Sequence, residues 1–288
     1  MSSAKQAFNS GFEFVTNMSA ELSSGNLEIP AFPDAAVRIK NALADPEVTA
    51  DHVARVVGSD PIFTARILKV ANSAMVNGAG VRITDIRMAV TRMGFKMAYN
   101  TAVAIAVDQL LHSHSVEELR PYLEDLWQHS MTVGALSYVI ARKLTKINPD
   151  EAMLAGLLHD IGKYYILTRS AEYPVLFSEP AMLDDIMKKW HTGIGRSILD
   201  AWDFSEDIAI AADEHETLDR MHFGPSTHAD VVLVANLLAH NDDTDHLPDL
   251  DWDKIPTLKR LELTSDLAYE IIEESSNEVQ SIIQALGG

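Results

Sequence analysis

Hydrophobic residues recur along much of the chain at the three-to-four-residue spacing of a helix that buries one face. The clearest example follows Asp60-Pro61, where a capping carboxylate precedes a proline at the first helical position. The pattern predicts a helix from this pair onward, with these residues on its buried face: Ile62, Ala65, Ile67, Leu68 and Ala71.

Polar residues that can cap helices mark further starts. The run from Asn148 to Glu151 combines a capping amide, a proline and two acidic residues, which suit the positive first turn of a helix. The helix that it begins carries the pair His159-Asp160, and Gly162 is predicted to end it. The other predicted starts are Asp34, Thr84 or Asp85, and Ser205.

The segment from Val231 to Ala239 is the best candidate for a strand, because it is apolar and rich in valine. Its length and its alanine and leucine content favour a buried helix instead. The chain is therefore predicted to be all-α. The N-terminal segment is predicted to form an amphipathic helix, docked on the body or on another protein, through Phe8, Phe12, Val15, Met18 and Leu22.

Composition narrows the classes of function. The 288 residues carry a formal net charge of −19, which repels a phosphate backbone and excludes direct nucleic-acid binding. The absence of cysteine excludes disulfides, thiolate metal sites and a cysteine nucleophile. No signal peptide or membrane-spanning run is evident, so a cytoplasmic protein without a membrane partner is expected.

The adjacent pair His159-Asp160 lies in an apolar stretch, where a histidine and a carboxylate are costly to bury without partners. A divalent metal ion accepts both imidazole nitrogen and carboxylate oxygen as ligands. A hydrogen-bonded core histidine beside a capping aspartate is the alternative. The pair alone does not distinguish the two.

Four short motifs follow one another in the first hundred residues. They are P-x-x-P from Pro30 to Pro33, the capping pair Asp60-Pro61, L-x-x-A-N-S from Leu68 to Ser73, and A-x-x-R-x-G from Ala89 to Gly94. In this order they resemble the N-terminal helical lobe of the HDOD family, the HD-related output domain of bacterial signalling proteins.

Asn72-Ser73 within this block is a rival centre of function. The two small polar residues follow an apolar helix and could meet a partner. A helix end satisfied by local hydrogen bonds is the favoured interpretation.

A second series of motifs lies further along the chain. It comprises His129 in Leu126–Ser130, the pair His159-Asp160, the H-x-x-x-G run His191–Gly195, and Glu214–Glu216. This series resembles the HD superfamily of metal-dependent phosphohydrolases, and more closely its HD-GYP branch. Together the two series cover roughly residues 27 to 240.

The resemblance implies a role for individual residues. Lys163 matches a lysine that contacts the substrate phosphate in related phosphodiesterases, so it would act only in an active enzyme. The implied metal ligands are His129, His159 and Asp160 for one ion, and His191 and His215, with Glu214 as a further candidate, for a second.

The chain departs from the enzymes at two positions. Asn236 stands where the last ligand is an aspartate, and Thr217 follows Glu216 where a G-Y-P signature would begin. Because an amide oxygen is neutral, weakened metal binding is expected, and a full two-metal catalyst is disfavoured. A single ion on His129, His159 and Asp160, completed by Asn236 or water, and a hydrogen-bonded cluster without metal both remain open.

Two functions follow from this comparison. The favoured one is a non-catalytic regulatory or output protein of bacterial signal transduction, which binds a partner protein or a small regulatory ligand. The alternative is a metal-dependent phosphohydrolase or cyclic-nucleotide phosphodiesterase with iron, manganese or zinc. The expected fold is two-lobed, with an N-terminal helix or tail (1–26), an N-terminal helical lobe (27–115) and a C-terminal HD-like lobe (116–288).

Overall fold

The computed structural model describes residues 3–24, 34–43, 45, 47–73, 76–78, 80–113, 119–173, 176, 179–239 and 252–286. Throughout these ranges the regular structure is helical, and no strand occurs. The all-α prediction is therefore confirmed. The P-x-x-P motif lies outside the described residues.

The N-terminal helices pack into a bundle in which α2, α3, α4, α5 and α6 contact one another. Asp60 begins α4 as predicted, because its carboxylate accepts hydrogen bonds from the backbone N–H groups of Ile62 and Phe63. Asp85 caps α5 in the same way through Met88. The helices are α1 (Ser3–Ser24), α2 (Asp34–Leu43), α3 (Ala50–Gly58), α4 (Pro61–Ala71), α5 (Ile86–Met93) and α6 (Phe95–Ser113).

The C-terminal helices form a second bundle, around α7 and α12. The predicted buried helix is confirmed: α12 includes the segment from Val231 to Ala239, and the side chains of Val231 to Ala235 are buried. The helices are α7 (Arg120–Leu144), α8 (Pro149–Leu158), α9 (Ile161–Ser170), α10 (Pro180–Ala201), α11 (Glu206–Glu214), α12 (His228–Ala239), α13 (Pro256–Arg260) and α14 (Ser265–Leu286), with a 3₁₀ turn at Trp252–Lys254.

Glycines bring the central helices of this bundle into backbone contact. A methyl group added to Gly156 on α8 would lie 2.8 Å from the Cα of Gly134 and 2.9 Å from the carbonyl oxygen of Val133 on α7. Contacts this close leave no room for a side chain. The short distance between the helices sets α7 beside the end of α8.

Gly162 has a different role from the predicted one. Helix α8 ends at Leu158, His159 and Asp160 form a turn, and Gly162 lies in the first turn of α9. A Cβ at this position would overlap the carbonyl oxygen of His191 and lie 2.8 Å from the backbone nitrogen of Gly195. The glycine is needed because α9 and α10 touch there, and it does not end a helix.

The two bundles are joined on several sides. Helix α14 packs on α7 and also on α4 and α6, while α6 packs on α8 and α1 packs on α10. The ion pairs that cross between the bundles include Lys96 with Glu151 and Lys40 with Asp203. A cleft of about 380 Å³ lies between them. Within the described part of the chain, no helix is long and apolar enough to cross a membrane.

Candidate metal centre

Five side chains from four segments that are distant in sequence converge at the middle of the C-terminal bundle. His129 comes from α7, His159 and Asp160 from the turn between α8 and α9, His191 from α10, and His215 from the residue after α11. The side chains of His159, His191 and His215 are 0% exposed and that of Asp160 is 1% exposed. His129 lies at the edge and is 21% exposed.

Three of these imidazoles are oriented by the backbone of their own helices. In each, Nδ1 lies 2.7–2.9 Å from a carbonyl oxygen one turn earlier in the chain. A carbonyl only accepts, so Nδ1 carries the hydrogen and donates it. The Nε2 lone pair is then directed into the centre, as in metal-binding histidines. The pairs are His159 with Gly156, His191 with Met187, and His215 with Ala212.

The two oxygens of Asp160 have different surroundings. Oδ2 accepts a hydrogen bond of 2.9 Å from the ammonium group of Lys163 and lies 3.2 Å from Nε2 of His159. Oδ1 lies 3.6 Å from Nε2 of His191 and 3.4 Å from Nε2 of His215. Oδ1 and Nε2 of His159 are buried, and neither has a hydrogen-bond partner among the described residues.

The electrostatics of the centre favour an ionised Asp160 beside a neutral His215. Burial alone would raise the pKa of Asp160, but His159, His215 and Lys163 outweigh it and hold that pKa well below its ordinary value. Burial lowers the pKa of His215, aided by the neighbouring His159 and His191. Because Nδ1 of His215 donates to the backbone, its Nε2 lone pair faces the ionised Asp160, an arrangement that a cation between the two would stabilise.

The donor set fits a divalent metal ion. Two overlapping groups have ligand atoms that all lie within 4.8 Å of one another, and both include Asp160. Imidazole nitrogen and carboxylate oxygen are ligands of zinc, manganese and iron. A bound ion would supply Lewis acidity and a more acidic water. The first group is His129, His159 and Asp160, and the second is Asp160, His191 and His215.

Two of the other residues predicted from the sequence contact the centre, and the third, Glu214, is paired with an arginine. Asn236 on α12 lies with Oδ1 3.0 Å from Nε2 of His129. The ammonium group of Lys163 is bound to Asp160 inside the centre. Glu214 pairs with the guanidinium of Arg220.

Glu216 was missed by the sequence reasoning. Its Oε1 lies 3.4 Å from Nε2 of His191 and 3.6 Å from Nζ of Lys163. The neighbouring His191, with smaller contributions from Lys163 and His215, lowers the pKa of Glu216 to about 2 despite its partial burial. The sequence places one glutamate on each side of His215, Glu214 and Glu216, and this arrangement does not tell which carboxylate faces the centre.

The rival centre at Asn72 is a helix end satisfied by local hydrogen bonds. The side-chain amide of Asn72 donates to the carbonyl oxygens of Leu68 and Ile83, and its oxygen accepts from the backbone N–H of Ile83. These bonds, of 2.7–2.8 Å, tie the end of α4 to the segment before α5. The favoured interpretation is confirmed for Asn72, whereas the buried hydroxyl of Ser73 has no hydrogen-bond partner among the described residues.

Comparison with known proteins agrees with this architecture. A crystal structure from Shewanella amazonensis SB2B, provisionally named a metal-dependent phosphohydrolase, aligns with a TM-score of 0.78 at 24% identity and covers 96% of this chain and 99% of its own. One from Marinobacter aquaeolei VT8, provisionally named a signal transduction protein, aligns with a TM-score of 0.69 at 19% identity over 100% of this chain and 68% of its own. At these identities the likeness shows the fold.

Sequence comparison extends this likeness to a family. An uncharacterized protein of Treponema pallidum (strain Nichols) is 25% identical over 217 residues, which are 70% of this chain and 40% of that protein. The chain thus spans about two fifths of the length of that relative. The family model of the HDOD domain matches residues 29–218, which is more than half of the chain. With its helical lobes and the histidines inside the matched range, the chain belongs to the HDOD domain family.

Proposed function

We propose that this protein is a regulatory output protein of bacterial signal transduction, that it acts in the cytoplasm through a partner protein or a small ligand, and that it does not hydrolyse phosphodiesters. Family membership supports the signalling role. The Marinobacter aquaeolei VT8 protein of the same fold has a name that points to signal transduction.

The observation that carries the proposal is the contact between Lys163 and Asp160. The lysine that would meet a substrate phosphate instead binds Oδ2 of the aspartate at 2.9 Å. Asn236 likewise contacts Nε2 of His129 at 3.0 Å, where the related enzymes have an anionic ligand. Both contacts fall on the His129 side of the centre, which supports the proposal because a two-metal catalyst would need to hold an ion there.

Charge argues in the same direction. Two divalent ions would bring four positive charges to a centre whose buried carboxylate is Asp160, with Glu216 at its edge. The ammonium of Lys163 adds a fifth. Two-metal hydrolysis requires both ions to be held while they stabilise the attacking and leaving oxygens. The carboxylates in place balance one ion.

A ligand for the regulatory role has a place between the bundles. The cleft of about 380 Å³ is lined from the N-terminal side by Lys96 and Tyr99 and from the C-terminal side by Asp150, Phe204 and His228. Pockets of this size commonly hold small molecules. A ligand bound there would contact both bundles and so could alter their packing.

Phosphodiester hydrolysis is the second candidate, favoured by the convergence of four histidines on one carboxylate. The Shewanella amazonensis SB2B protein of the same fold has a name that points to this activity.

The test uses protein purified without chelators or immobilised metal. It is assayed with bis-p-nitrophenyl phosphate and with cyclic mono- and dinucleotides after addition of iron, manganese or zinc. We expect no turnover above that of His159→Ala and Asp160→Ala. Turnover that both substitutions abolish would overturn the proposal in favour of the hydrolase.

A further inference from the structure

We propose that the centre binds one zinc-class ion per chain, that its ligands are Asp160 Oδ1, His191, His215 and Glu216, and that His129 and His159 lie outside the coordination shell. This inference does not rest on the absence of hydrolysis. The Glu216 ligand, the stoichiometry of one and the exclusion of His129 are what it adds.

The first step is the spacing of the ligand atoms. Four ligands at zinc distances of about 2.0–2.1 Å form a tetrahedron whose edges are about 3.3–3.4 Å. The three edges among Asp160 Oδ1, His191 Nε2 and His215 Nε2 measure 3.3, 3.4 and 3.6 Å. These atoms therefore already lie close to the corners of one face.

Glu216 supplies the fourth corner. Its Oε1 lies 3.4 Å from Nε2 of His191 and 3.9 Å from Nε2 of His215. Its side chain is 40% exposed, whereas the two histidines are 0% exposed. It thus lies on the solvent side of the two histidines, where it would close the site over an ion.

The two oxygens of Asp160 decide which side of the centre is available. Oδ1, facing His191 and His215, is buried without a hydrogen-bond partner among the described residues. Oδ2, facing His129 and His159, holds the ammonium of Lys163 at 2.9 Å. In the described structure each side has an orphaned acceptor, Nε2 of His159 on one and Oδ1 on the other. An ion on the Oδ2 side would have to displace the like charge of Lys163 from that oxygen, whereas one on the Oδ1 side would displace no cation from Asp160.

The charges of the ligands predict that one metal ion binds per chain. Asp160 and Glu216 bring two negative charges, and His191 and His215 are neutral ligands when Nδ1 donates to the backbone. One divalent ion makes this shell neutral, and the nearby Lys163 opposes a second ion. Two nitrogens and two oxygens without thiolate are a donor set that zinc accepts.

The experiment measures metal binding directly. Metal-free protein is titrated with Zn²⁺ against a chromogenic competitor, and bound metal is counted by elemental analysis. We expect one zinc per chain. Glu216→Gln should weaken binding at least about tenfold, whereas Glu214→Gln, the matched control on the other side of His215, should change it less than about twofold.

His215→Ala should abolish binding, and His129→Ala should leave one zinc per chain. Co²⁺ in place of zinc gives the intense visible absorption of a tetrahedral site, and Glu216→Gln should change that spectrum. Circular dichroism of the metal-free variants checks their folding.

Two zinc ions per chain, no zinc, loss of zinc in His129→Ala, or equal affinities of Glu216→Gln and Glu214→Gln would each overturn the inference. None of these readouts is hydrolysis. A protein that proves to be a hydrolase can therefore still bear out this site, and a protein without metal can still be a regulator.

Discussion

Among its described residues the C-terminal bundle buries two aspartates, Asp160 and Asp230, whose hydrogen-bond partners differ. Asp230 on α12 is 0% exposed and is surrounded by donors: Arg220 and His222 at 2.8 Å, and the backbone N–H and hydroxyl of Thr227 at 2.7 and 3.0 Å. Asp160 is 1% exposed and receives one lysine on one oxygen, while its other oxygen has no hydrogen-bond partner in the described structure.

The difference separates a structural carboxylate from one that is available to a ligand. Burying a charge is costly unless cations and hydrogen bonds compensate it. At Asp230 the chain provides that compensation itself, and the bonds fasten the loop before α12 to the helix. At Asp160 the described residues leave Oδ1 without a hydrogen bond, so that oxygen is available to a group from outside.

The largest effect is expected when each of the two carboxylates is replaced by an amide and the stability of the two variants is compared. Asp230→Asn leaves Arg220, whose side chain is 8% exposed, without its buried partner, and should lower the free energy of unfolding by about 3–5 kcal/mol. Asp160→Asn in metal-free protein should cost less, about 1–2 kcal/mol, because it loses the bond between Oδ2 and the partly exposed Lys163 but no bond at Oδ1.

Chemical denaturation of the two variants measures both values. Equal losses of stability would mean that Asp160 is as well compensated as Asp230, and the distinction between them would fail.

A second substitution disturbs only the Asp160 side, and it does so without changing charge. Gly162→Ala would place a methyl group against the carbonyl of His191, and should cost about 3 kcal/mol by forcing α9 and α10 apart. Gly193→Ala is the control on the same helix as His191, since a methyl group there meets no atom within 4 Å. The control should be neutral or slightly stabilising. Similar unfolding curves for both variants would contradict the close approach.

The features of this fold that could be predicted from the sequence are those set by contacts between residues close along the chain. The helix starts at Asp60 and Asn148 were predictable because each cap bonds to backbone groups two or three residues away. The role of Gly162 was predicted wrongly, because the glycine is required by a contact with α10, and no local pattern encodes that contact.

The candidate site shows the same limit. The histidines could be named because their motifs resemble a family, and the structure brings them together. The sequence could not show which of the two glutamates faces the centre. In the structure Glu214 contacts Arg220 and Glu216 contacts His191. The point at which α11 ends sets these two directions. Asp230 was overlooked because its partners come from a loop whose course the sequence does not give.

Metal addition tests whether Asp160 is available to a ligand. An ion that binds only the folded protein stabilises it by about 2.7 kcal/mol when its free concentration is a hundred times Kd. Zinc should therefore raise the Tm of the native protein and of the control variant Glu214→Gln, and a chelator should reverse the increase. Asp160→Asn should show no increase, because the ligand oxygen is weakened. An equal response in Asp160→Asn would place the ion elsewhere.

Lowering the pH should remove the stabilisation that Asp230 provides, and this effect should be smaller and gradual. Burial raises the pKa of Asp230, but bonds from Thr227 and His222 and the charge of Arg220 outweigh it, so the pKa in the folded protein is depressed. The ionised form is therefore favoured by folding, and its stabilisation is fully present above the unfolded pKa of about 3.9. It is lost as the pH falls through the folded pKa.

The stability gap between native protein and Asp230→Asn isolates this group from the other carboxylates. The gap should be constant between about pH 6 and 5 and should narrow below about pH 4, as protonated Asp230 comes to resemble the amide. Denaturation series at each pH in zinc-free buffer measure it. A gap that stayed constant down to pH 3, or widened, would show that the bonds to Arg220 and His222 do not depend on the carboxylate charge, and Asp230 would then no longer serve as the fully compensated counterpart of Asp160.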